Sequence, residues 1–412
     1  MDFLDTTIKR NPNLIRTAVE LYRQGKISAN TIVVDLDAIC HNAKAIYEAA
    51  NKYNVKLYFM TKQFGRNPEI CQVILRAGID KAVAVDLEDT WCLEKNGVPI
   101  GHVGHLVQIP RNDINYVLAH TRPEVMTVFS LEKAKEVNEE AKKLGLIQKI
   151  LLRVVGAGDF FYDFQYGGIK EENLAKVVRD FQELDFVKIV GVTSFPCFRF
   201  NLKTRKVEPL PNLFTILRAA EILEKLGNEV EQINAPADNS TMTMELLAKM
   251  GITHAEPGHA FTGTTPWHAF ENLPEIPAWI YVTEVSHLEG DKAYVIGGGL
   301  MSGDAPLGIW GHLYHAHRLE VLVGDNPENI FSSKAYAEPA GYIDYYGTVH
   351  LPRESKVKVS DIIIYGLRNQ VFVSRARVAV INGVQVGNPK LVGIFDRMGR
   401  RLDSREEKFS MG

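Results

Sequence analysis

The chain has 412 residues, which is enough for a large hydrophobic core and for two domains. Apolar residues make up 46% and charged residues 24%, and 47 Lys and Arg against 50 Asp and Glu leave a net charge of −3. No basic excess indicates a nucleic-acid partner, and no apolar run approaches the roughly 18 residues that a membrane-spanning helix needs, so we expect neither nucleic acid nor membrane as a partner.

The N-terminal region, residues 1–29, predicts one amphipathic helix from about Asn13 to Gln24. It begins with acidic residues and lacks the apolar stretch of a secretion signal. The four cysteines are sparse and lie in apolar segments, which is typical of reduced thiols. We therefore expect a cytoplasmic protein.

Short apolar strands alternate with amphipathic helices from residue 30 to residue 273. The predicted strands are 31–35, 57–60, 81–85, 102–109, 124–129, 149–155, 187–192, 230–233 and 253–256. The main predicted helices are 37–51, 68–77, 87–95, 171–183, 212–226 and 241–250. About eight βα units in this length predict a (β/α)8 barrel. A doubly wound open sheet is the alternative, although no glycine-rich phosphate motif follows the first strand.

The pattern changes at about Pro274, after the junction Glu271–Pro277. Strand-like segments separated by Gly and Pro turns follow at 278–285, 292–296, 319–322, 356–364 and 370–380. With no strong helix between them, residues 274–412 predict a C-terminal all-β domain.

Lys62 lies at the end of the buried strand 57–60 and is followed by a turn and a helix. Burial disfavours a charged ammonium group, and a neutral lysine amine attacks carbonyl carbon to form a Schiff base. The alternative is that Lys62 simply extends out of the barrel mouth to water.

Other polar residues follow predicted barrel strands, at the edge where barrel enzymes place their chemistry. Arg153 ends one strand, Ser240 and Thr241 open a helix, and Glu256 ends the last strand. Hydroxyls and free N–H groups at a helix start could bind phosphate, or Ser240 could be a plain N-cap. A carboxylate at position 256 could keep a heteroaromatic nitrogen protonated, or could be an ordinary surface acid.

The order of these motifs resembles one family. The matching segments are Val34–Asn42, Thr61–Glu69, Val85–Asp89, Asn239–Ser240 and Glu256–Gly263. Together they resemble the alanine-racemase-like, fold type III family of pyridoxal phosphate (PLP) enzymes, and more closely its ornithine-racemase-like and YhfX-type branch. The likeness runs in register from about residue 30 to about residue 270 and is weaker through the β domain.

This resemblance implies a PLP cofactor and a role for each matched residue. Lys62 would form the Schiff base with PLP and act as an acid and base at the substrate Cα. Ser240 would bind the phosphate with help from Asn239 and Thr241. The remaining implied cofactor residues are His259 and Thr262 beside the phosphate, Phe195 at the ring face, Glu256 at the ring nitrogen, and Arg153.

Three departures from the family pattern bear on the reaction. Alanine racemases have an arginine where this chain has Glu256, and a carboxylate there makes decarboxylation, elimination or aldol cleavage accessible. Gln165 stands where racemases carry another arginine. The zinc-dependent relatives have a His-x-Cys pair near Asn369–Phe372, where this chain has none, so we expect no metal; the histidines at 312, 315 and 317 resemble surface or interface residues.

A racemase of this family needs a second base on the opposite face of Cα, usually a tyrosine from a partner chain. The richest segment is Tyr342–His350, and our candidates within it are Tyr345 and Tyr346. Tyrosines in strands are mostly packing residues, so this assignment depends on the resemblance. The resemblance also implies a homodimer with shared active sites.

We therefore predict a PLP-dependent amino acid racemase or epimerase that removes the Cα proton of a cofactor-bound amino acid. A decarboxylase, lyase or aldolase reaction is the alternative that Glu256 favours. Two further alternatives are a non-catalytic PLP-binding homeostasis protein, which the β domain argues against, and a barrel aldolase in which Lys62 attacks the substrate without a cofactor.

Overall fold

The computed structural model describes residues 3–300, 319–338 and 343–402. Its α-helices are α1 Phe3–Arg10, α2 Pro12–Arg23, α3 Leu36–Lys52, α4 Pro68–Arg76, α5 Leu87–Lys95, α6 Ile114–Tyr116, α7 Leu131–Leu144, α8 Leu174–Asp180, α9 Pro211–Lys225 and α10 Met244–Lys249. None of these combines the length and the apolar character that a membrane crossing requires.

The strands of the described ranges complete the element list. They are β1 Thr31–Asp35, β2 Lys56–Leu57, β3 Phe59–Met60, β4 Ala82–Ala84, β5 Ile100–Val103, β6 Val125–Val128, β7 Gln148–Val155, β8 Ile169–Lys170, β9 Val187–Thr193, β10 Phe198–Asn201, β11 Lys206–Pro209, β12 Gln232–Asn234, β13 His254–Ala255, β14 Trp279–Glu289, β15 Lys292–Ile296, β16 Leu319–Gly324, β17 Lys334–Ala337, β18 Tyr346–His350, β19 Ile362–Tyr365, β20 Arg377–Asn382 and β21 Lys390–Phe395.

Two compact units divide the chain: one takes in residues within 1–42, 62–73 and 261–412, and the other residues 43–61 and 74–260. The second unit contains a sheet in the order β2-β13-β12-β9-β7-β6-β5-β4-β3, with parallel pairing throughout. Because only Tyr58 separates β2 from β3, the two ends of this order are one interrupted strand and the sheet closes. The predicted (β/α)8 barrel is confirmed.

Strand burial explains why the barrel sequence reads as short apolar runs. Parallel strands covered on both faces need apolar residues at consecutive positions. A cluster of side chains from several of the strands packs together: Tyr58, Met60, Val83, Val85, Val125, Leu151 and Val190. One position has no room for a side chain, since a Cβ on Gly191 would lie 1.8 Å from the Gln232 carbonyl oxygen.

The other unit contains a nine-stranded sheet in the order β15-β18-β17-β16-β19-β14-β1-β20-β21. A separate C-terminal β domain was predicted and is confirmed, but the prediction that Thr31–Asp35 is the first barrel strand is wrong. β1 pairs antiparallel with β14 and parallel with β20. All five of its residues are buried, and a strand buried on both faces looks the same in sequence whichever sheet it joins.

The N-terminal segment packs against this sheet. Leu14, Ile15 and Ala18 of α2 belong to one hydrophobic cluster with sheet residues such as Val33 and Ile280. We predicted one helix there, and the structure has two. Pro12 occupies the first turn of α2, which favours a helix start at that point.

Several predicted strands are shorter than expected. The predicted strand 102–109 ends at Val103, where Gly104 adopts a left-handed φ of +79°. The predicted strands 356–364 and 370–380 are reduced to β19 and β20, and a 3₁₀ turn occupies Val371–Val373. The β10–β11 hairpin and strands β17, β18 and β21 were not predicted. Each has only four to six residues, which is too short a run to show a clear period.

Candidate active site

Glu256 directly follows β13 at the carboxyl edge of the barrel and is buried. Its Oε1 atom accepts hydrogen bonds from His102 Nδ1 at 2.5 Å and from Asn234 Nδ2 at 2.7 Å. Its backbone N–H donates to Asn239 Oδ1 at 2.9 Å. Its Oε2 atom is buried and accepts no hydrogen bond from the described residues. One carboxylate oxygen is therefore saturated and the other keeps its acceptor capacity.

The surroundings keep this carboxylate ionised. Burial alone would raise the pKa of Glu256, but the imidazoles of His105 and His102 and the hydrogen bonds from His102 and Asn234 together lower that pKa to about 2. The Nε2 atom of His105 lies 3.6 Å from Oε2. A buried anion with one oxygen available is a strong acceptor for an N–H donor.

His102 lies on β5 and links Glu256 to the next strand. Because an ionised carboxylate can only accept, the Nδ1 atom of His102 carries a hydrogen toward Glu256. On the other side of the ring, Nε2 lies 2.5 Å from Thr127 Oγ1 on β6. Sequence reasoning missed His102, His105 and Thr127. The signal that could have found the two histidines is the His102-Val-Gly-His105 spacing at a barrel strand end.

The buried group His102, His105 and Glu256 also brings three potential metal-ligand atoms within 4.8 Å of one another. The sequence predicts no metal site. Both ring nitrogens of His102 already contact protein oxygens, on Glu256 and on Thr127. In this arrangement the group is a hydrogen-bonded network, and a metal would have to replace one of the two His102 contacts.

Arg153 lies near the end of β7 with its side chain 1% exposed. Its guanidinium donates to the backbone oxygens of Gln165 at 2.7 Å and His105 at 3.3 Å, and lies over the ring of Phe129 at 4.7 Å. Burial lowers its pKa to about 10. The structure thus holds a buried cation at this edge of the barrel.

An aromatic series connects this region to the β9 end. His105 meets the edge of Phe195 with ring centroids 5.5 Å apart, and Phe195 lies 5.9 Å from Tyr162. Of the predicted site residues, Phe195, Arg153 and Glu256 are thereby linked to one another through His105. Tyr162 was not predicted; it belongs to the aromatic segment Phe160–Tyr166 that follows β7.

The predicted phosphate segment lies beside Glu256 through Asn239. The Asn239 side chain donates to Ala235 O at 3.2 Å while its oxygen accepts from the Glu256 N–H. Ser240 forms a capping box with Thr243, whose hydroxyl accepts from the Ser240 N–H at 2.8 Å. The N-cap interpretation of Ser240 thus describes what the structure contains, and Thr241 opens the short helical turn that follows.

Lys62 belongs to the other compact unit, in a 3₁₀ turn two residues beyond β3. Its Nζ atom lies 5.7 Å from the centre of the Phe372 ring, which also faces the Arg66 guanidinium at 5.5 Å. The strand that leads to Lys62 is fixed at its end, because Met60 N–H donates to Pro257 O at 2.8 Å. Barrel strand β3 therefore ends next to the Glu256 turn.

The remaining predicted residues differ in burial. His259 and Thr262 are buried, and Thr262 Oγ1 lies 2.7 Å from Thr264 Oγ1. Tyr345 and Tyr346 are 68% and 52% exposed, so neither is a core packing residue. Tyr342 and the histidines at 312, 315 and 317 lie outside the described residues.

Comparison with known families accounts for both parts of the chain. Residues 34–266 match the family model "Alanine racemase, N-terminal domain", and residues 280–391 match "YhfX-like, C-terminal domain". The chain belongs to the alanine-racemase-like family. It is 37% identical over 400 residues to "Uncharacterized protein YhfX" of Escherichia coli (strain K12), covering 97% of this chain and 99% of that protein.

Solved structures share the fold at low identity. An alanine racemase of Clostridium difficile 630 in complex with cycloserine has a TM-score of 0.63 at 15% identity, covering 90% of this chain and all of that one. A D-threonine aldolase from Filomicrobium marinum has a TM-score of 0.64 at 13% identity, covering 91% and 95%. A diaminopimelate decarboxylase from M. jannaschii, solved with L-lysine, has a TM-score of 0.61 at 15% identity, covering 93% of each chain. The shared fold thus includes racemase, aldolase and decarboxylase structures.

Proposed function

We propose that this protein is a PLP-dependent enzyme that racemises or epimerises an amino acid at Cα. The observation that carries the cofactor assignment is Glu256, a buried and ionised carboxylate whose Oε2 accepts no hydrogen bond from the described residues. A pyridine nitrogen carrying a proton is the kind of single N–H donor that this oxygen fits.

The residues that would hold PLP are those carried over from the family pattern. Lys62 would bond the aldehyde, and Glu256 would accept from the ring nitrogen. Arg153 and Phe195 lie in the same barrel unit as Glu256, where a cation and an apolar ring suit an anionic, aromatic ligand. The proposed phosphate residues are Asn239, Ser240, Thr241, His259 and Thr262.

When bound, PLP acts as an electron sink that makes the Cα–H bond of an attached amino acid acidic. The part of this chain is to move the proton. The Lys62 amine would take it from one face of Cα, and a phenol from Tyr345 or Tyr346 of a partner subunit would return a proton to the other face. The exposure of both tyrosines supports this role, because a residue that serves a partner subunit has to be accessible.

A second candidate is a PLP-dependent decarboxylase, lyase or aldolase, which Glu256 favours. A carboxylate that keeps the ring nitrogen protonated strengthens electron withdrawal beyond what proton exchange requires. Both candidates use Lys62 and Glu256 in the same positions, so the reaction products distinguish them. The four free cysteines fit a reducing compartment, and we propose a cytoplasmic location for either reaction.

The cofactor assignment predicts a visible band near ~420 nm that borohydride abolishes, as expected for PLP bound to a lysine. Lys62→Ala should lose the band, whereas Lys52→Ala, which changes another lysine on α3, should keep it. Mass spectrometry of the reduced protein should find PLP on the peptide that contains Lys62. Survival of the band in Lys62→Ala would show that another lysine holds the cofactor.

The reaction assignment is tested by incubating the holo-protein with D- and L-amino acids in deuterium oxide. A racemase incorporates deuterium at Cα and produces the opposite enantiomer. Release of carbon dioxide or an aldehyde would instead establish the second candidate. A protein that binds PLP through Lys62 but neither exchanges the Cα proton of any amino acid nor releases carbon dioxide or an aldehyde would have a carrier role.

A further inference from the structure

The hydrogen bonds that Glu256 Oε1 accepts leave its other oxygen, Oε2, for a ligand. We infer that Thr127 and His102 are positioning residues that hold Glu256 so that its Oε2 receives the ring nitrogen of the cofactor. This inference rests on the proposed function, since it assigns a task to residues that surround the proposed cofactor site.

Side chains from β6, from β5 and from the residue after β13 form a series, and the first two of these strands are neighbours in the sheet. Thr127 Oγ1 lies 2.5 Å from His102 Nε2, and His102 Nδ1 lies 2.5 Å from Glu256 Oε1. The side chains of His102 and Glu256 are both fully buried, and Thr127 is 1% exposed. All three residues lie on strands or at strand ends. The contacts from Thr127 to His102 and from His102 to Glu256 Oε1 therefore hold the Glu256 carboxylate in one orientation.

The Glu256 atom Oε2 accepts no hydrogen bond from the described residues. Asn234 donates to the same Oε1 as His102, so two donors converge on one oxygen. A buried carboxylate oxygen without a donor is costly, and proteins rarely retain one unless a ligand completes it. The positions of His102 and Asn234 thus select which oxygen is left for the ligand.

This selection also determines where one proton resides. Without its donors, the desolvated Glu256 carboxyl would bind a proton and would donate it in a hydrogen bond to an unprotonated ring nitrogen. With the donors in place the proton stays on the ring nitrogen, and Oε2 accepts a hydrogen bond from that N–H group. In line with this, neighbouring His105 and His102 keep the pKa of Glu256 low despite its burial.

The test uses paired variants of the holo-protein reconstituted with PLP labelled with ¹⁵N in the ring. Thr127→Val removes the hydroxyl at nearly constant shape, whereas Thr127→Ser retains it. His102→Leu removes the donor to Glu256, whereas His102→Asn keeps an N–H group. The ¹⁵N resonance of the ring nitrogen reports directly whether that atom carries the proton.

We expect the wild type and Thr127→Ser to show a protonated ring nitrogen. Thr127→Val should move the resonance partway toward that of unprotonated pyridine, and His102→Leu should move it further, with partial recovery in His102→Asn. His102→Leu should also bind PLP about tenfold more weakly than the wild type, because the cofactor loses a charge-assisted hydrogen bond. A role confined to packing would lower thermal stability without moving the resonance.

Other outcomes overturn the inference in distinguishable ways. If PLP binds Lys62 but the ring resonance is the same in all variants, the inference fails while the proposed function stands. If the wild type forms no borohydride-sensitive band, both fail. If the purified protein carries one tightly bound divalent metal that Glu256→Gln releases, the group is a metal centre and the inference is wrong.

Discussion

At the scale of single residues, His254 shows how burial sets a charge state inside the barrel. It lies at the start of β13, stacked on Tyr58 with ring centroids 5.5 Å apart, and its Nδ1 lies 2.8 Å from Thr253 Oγ1. Burial first, and then the charge of Lys56, lower the pKa of His254 from 6.5 to about 4. The folded protein therefore holds a neutral imidazole at pH values where an unfolded chain would protonate it.

This difference predicts a loss of stability in mild acid. Above pH 6.5 His254 is neutral in both states, and its contribution to stability is fully present. As the pH falls from about 6.5 to about 4, only the unfolded state gains the proton. The free energy of unfolding therefore decreases by about 3 kcal/mol. His254→Gln should lose that part of the pH dependence in urea unfolding between pH 7 and pH 4.

The exposed His287 provides the control for this prediction. His287→Gln removes a histidine from the surface, so it measures the effect of the substitution itself without changing the barrel. Equal slopes for His254→Gln and the wild type would mean that His254 titrates normally in the folded barrel.

Residues at strand ends were accessible to sequence reasoning, whereas their partners were not. Glu256 stands out because an acid directly follows an apolar strand, and the structure places it at the carboxyl edge of the barrel as expected. His102, Thr127 and Asn234 were missed because no local pattern shows that their side chains converge. Only barrel closure and register bring His102, which is 154 positions away in the sequence, to the Glu256 carboxylate.

At the scale of elements, the contact between β9 and β12 tests how tightly the barrel is built. Gly191 pairs with Gln232 on one side and with Leu151 on the other. A Cβ at position 191 would lie 1.8 Å from the Gln232 oxygen, which is backbone and has no other rotamer to adopt. Gly191→Ala should therefore separate these strands and cost about 3 kcal/mol or more.

Gly227 offers the matched comparison, since its φ is +83° but nothing lies within 4 Å of its Cβ position. Gly227→Ala should cost only the roughly 1 kcal/mol of left-handed backbone strain. Urea unfolding of both variants gives the two values. A Gly191→Ala variant no less stable than Gly227→Ala would contradict the close approach of the two strands.

Comparing predicted with observed elements shows which structural features a local sequence pattern can predict. Helix α5 and strands β1 and β15 lie at their predicted bounds because each has a distinct period or a clear stop signal. The sheet that β1 joins could not be inferred, because strand pairing depends on β14 and β20, which lie far along the chain from β1. The hydrophobic period of a segment predicts whether it is a helix or a strand, whereas pairing with distant segments decides which sheet a strand joins.

At the scale of the whole molecule, the exposed tyrosines raise the question of assembly. Tyr346 begins β18 and contacts the ring of His287 edge-on at 5.1 Å, while Tyr345 faces the Arg375 guanidinium at 5.3 Å. These contacts hold two phenols at the surface in defined positions. In a homodimer with shared sites, which we propose, such phenols would complete the site of the partner subunit.

Subunit mixing tests that arrangement. Lys62→Ala and Tyr346→Phe should each abolish interconversion of the D and L enantiomers in pure form, because inversion at Cα needs an acid–base group on each face. In a mixed dimer, one site combines both substitutions and the other has the native Lys62 and the native Tyr346 from different chains. Random mixing and reassembly should therefore restore about a quarter of the wild-type rate.

Two controls accompany the mixing experiment. Mixing Lys62→Ala with wild type sets the rate expected from reassembly alone, and Tyr345→Phe in place of Tyr346→Phe identifies which phenol acts. If the two inactive variants form mixed dimers, confirmed by native mass spectrometry, yet recover no interconversion of enantiomers, then the second acid–base group comes from the same chain as Lys62. The site would then be complete within one subunit, and dimer formation would have no catalytic role.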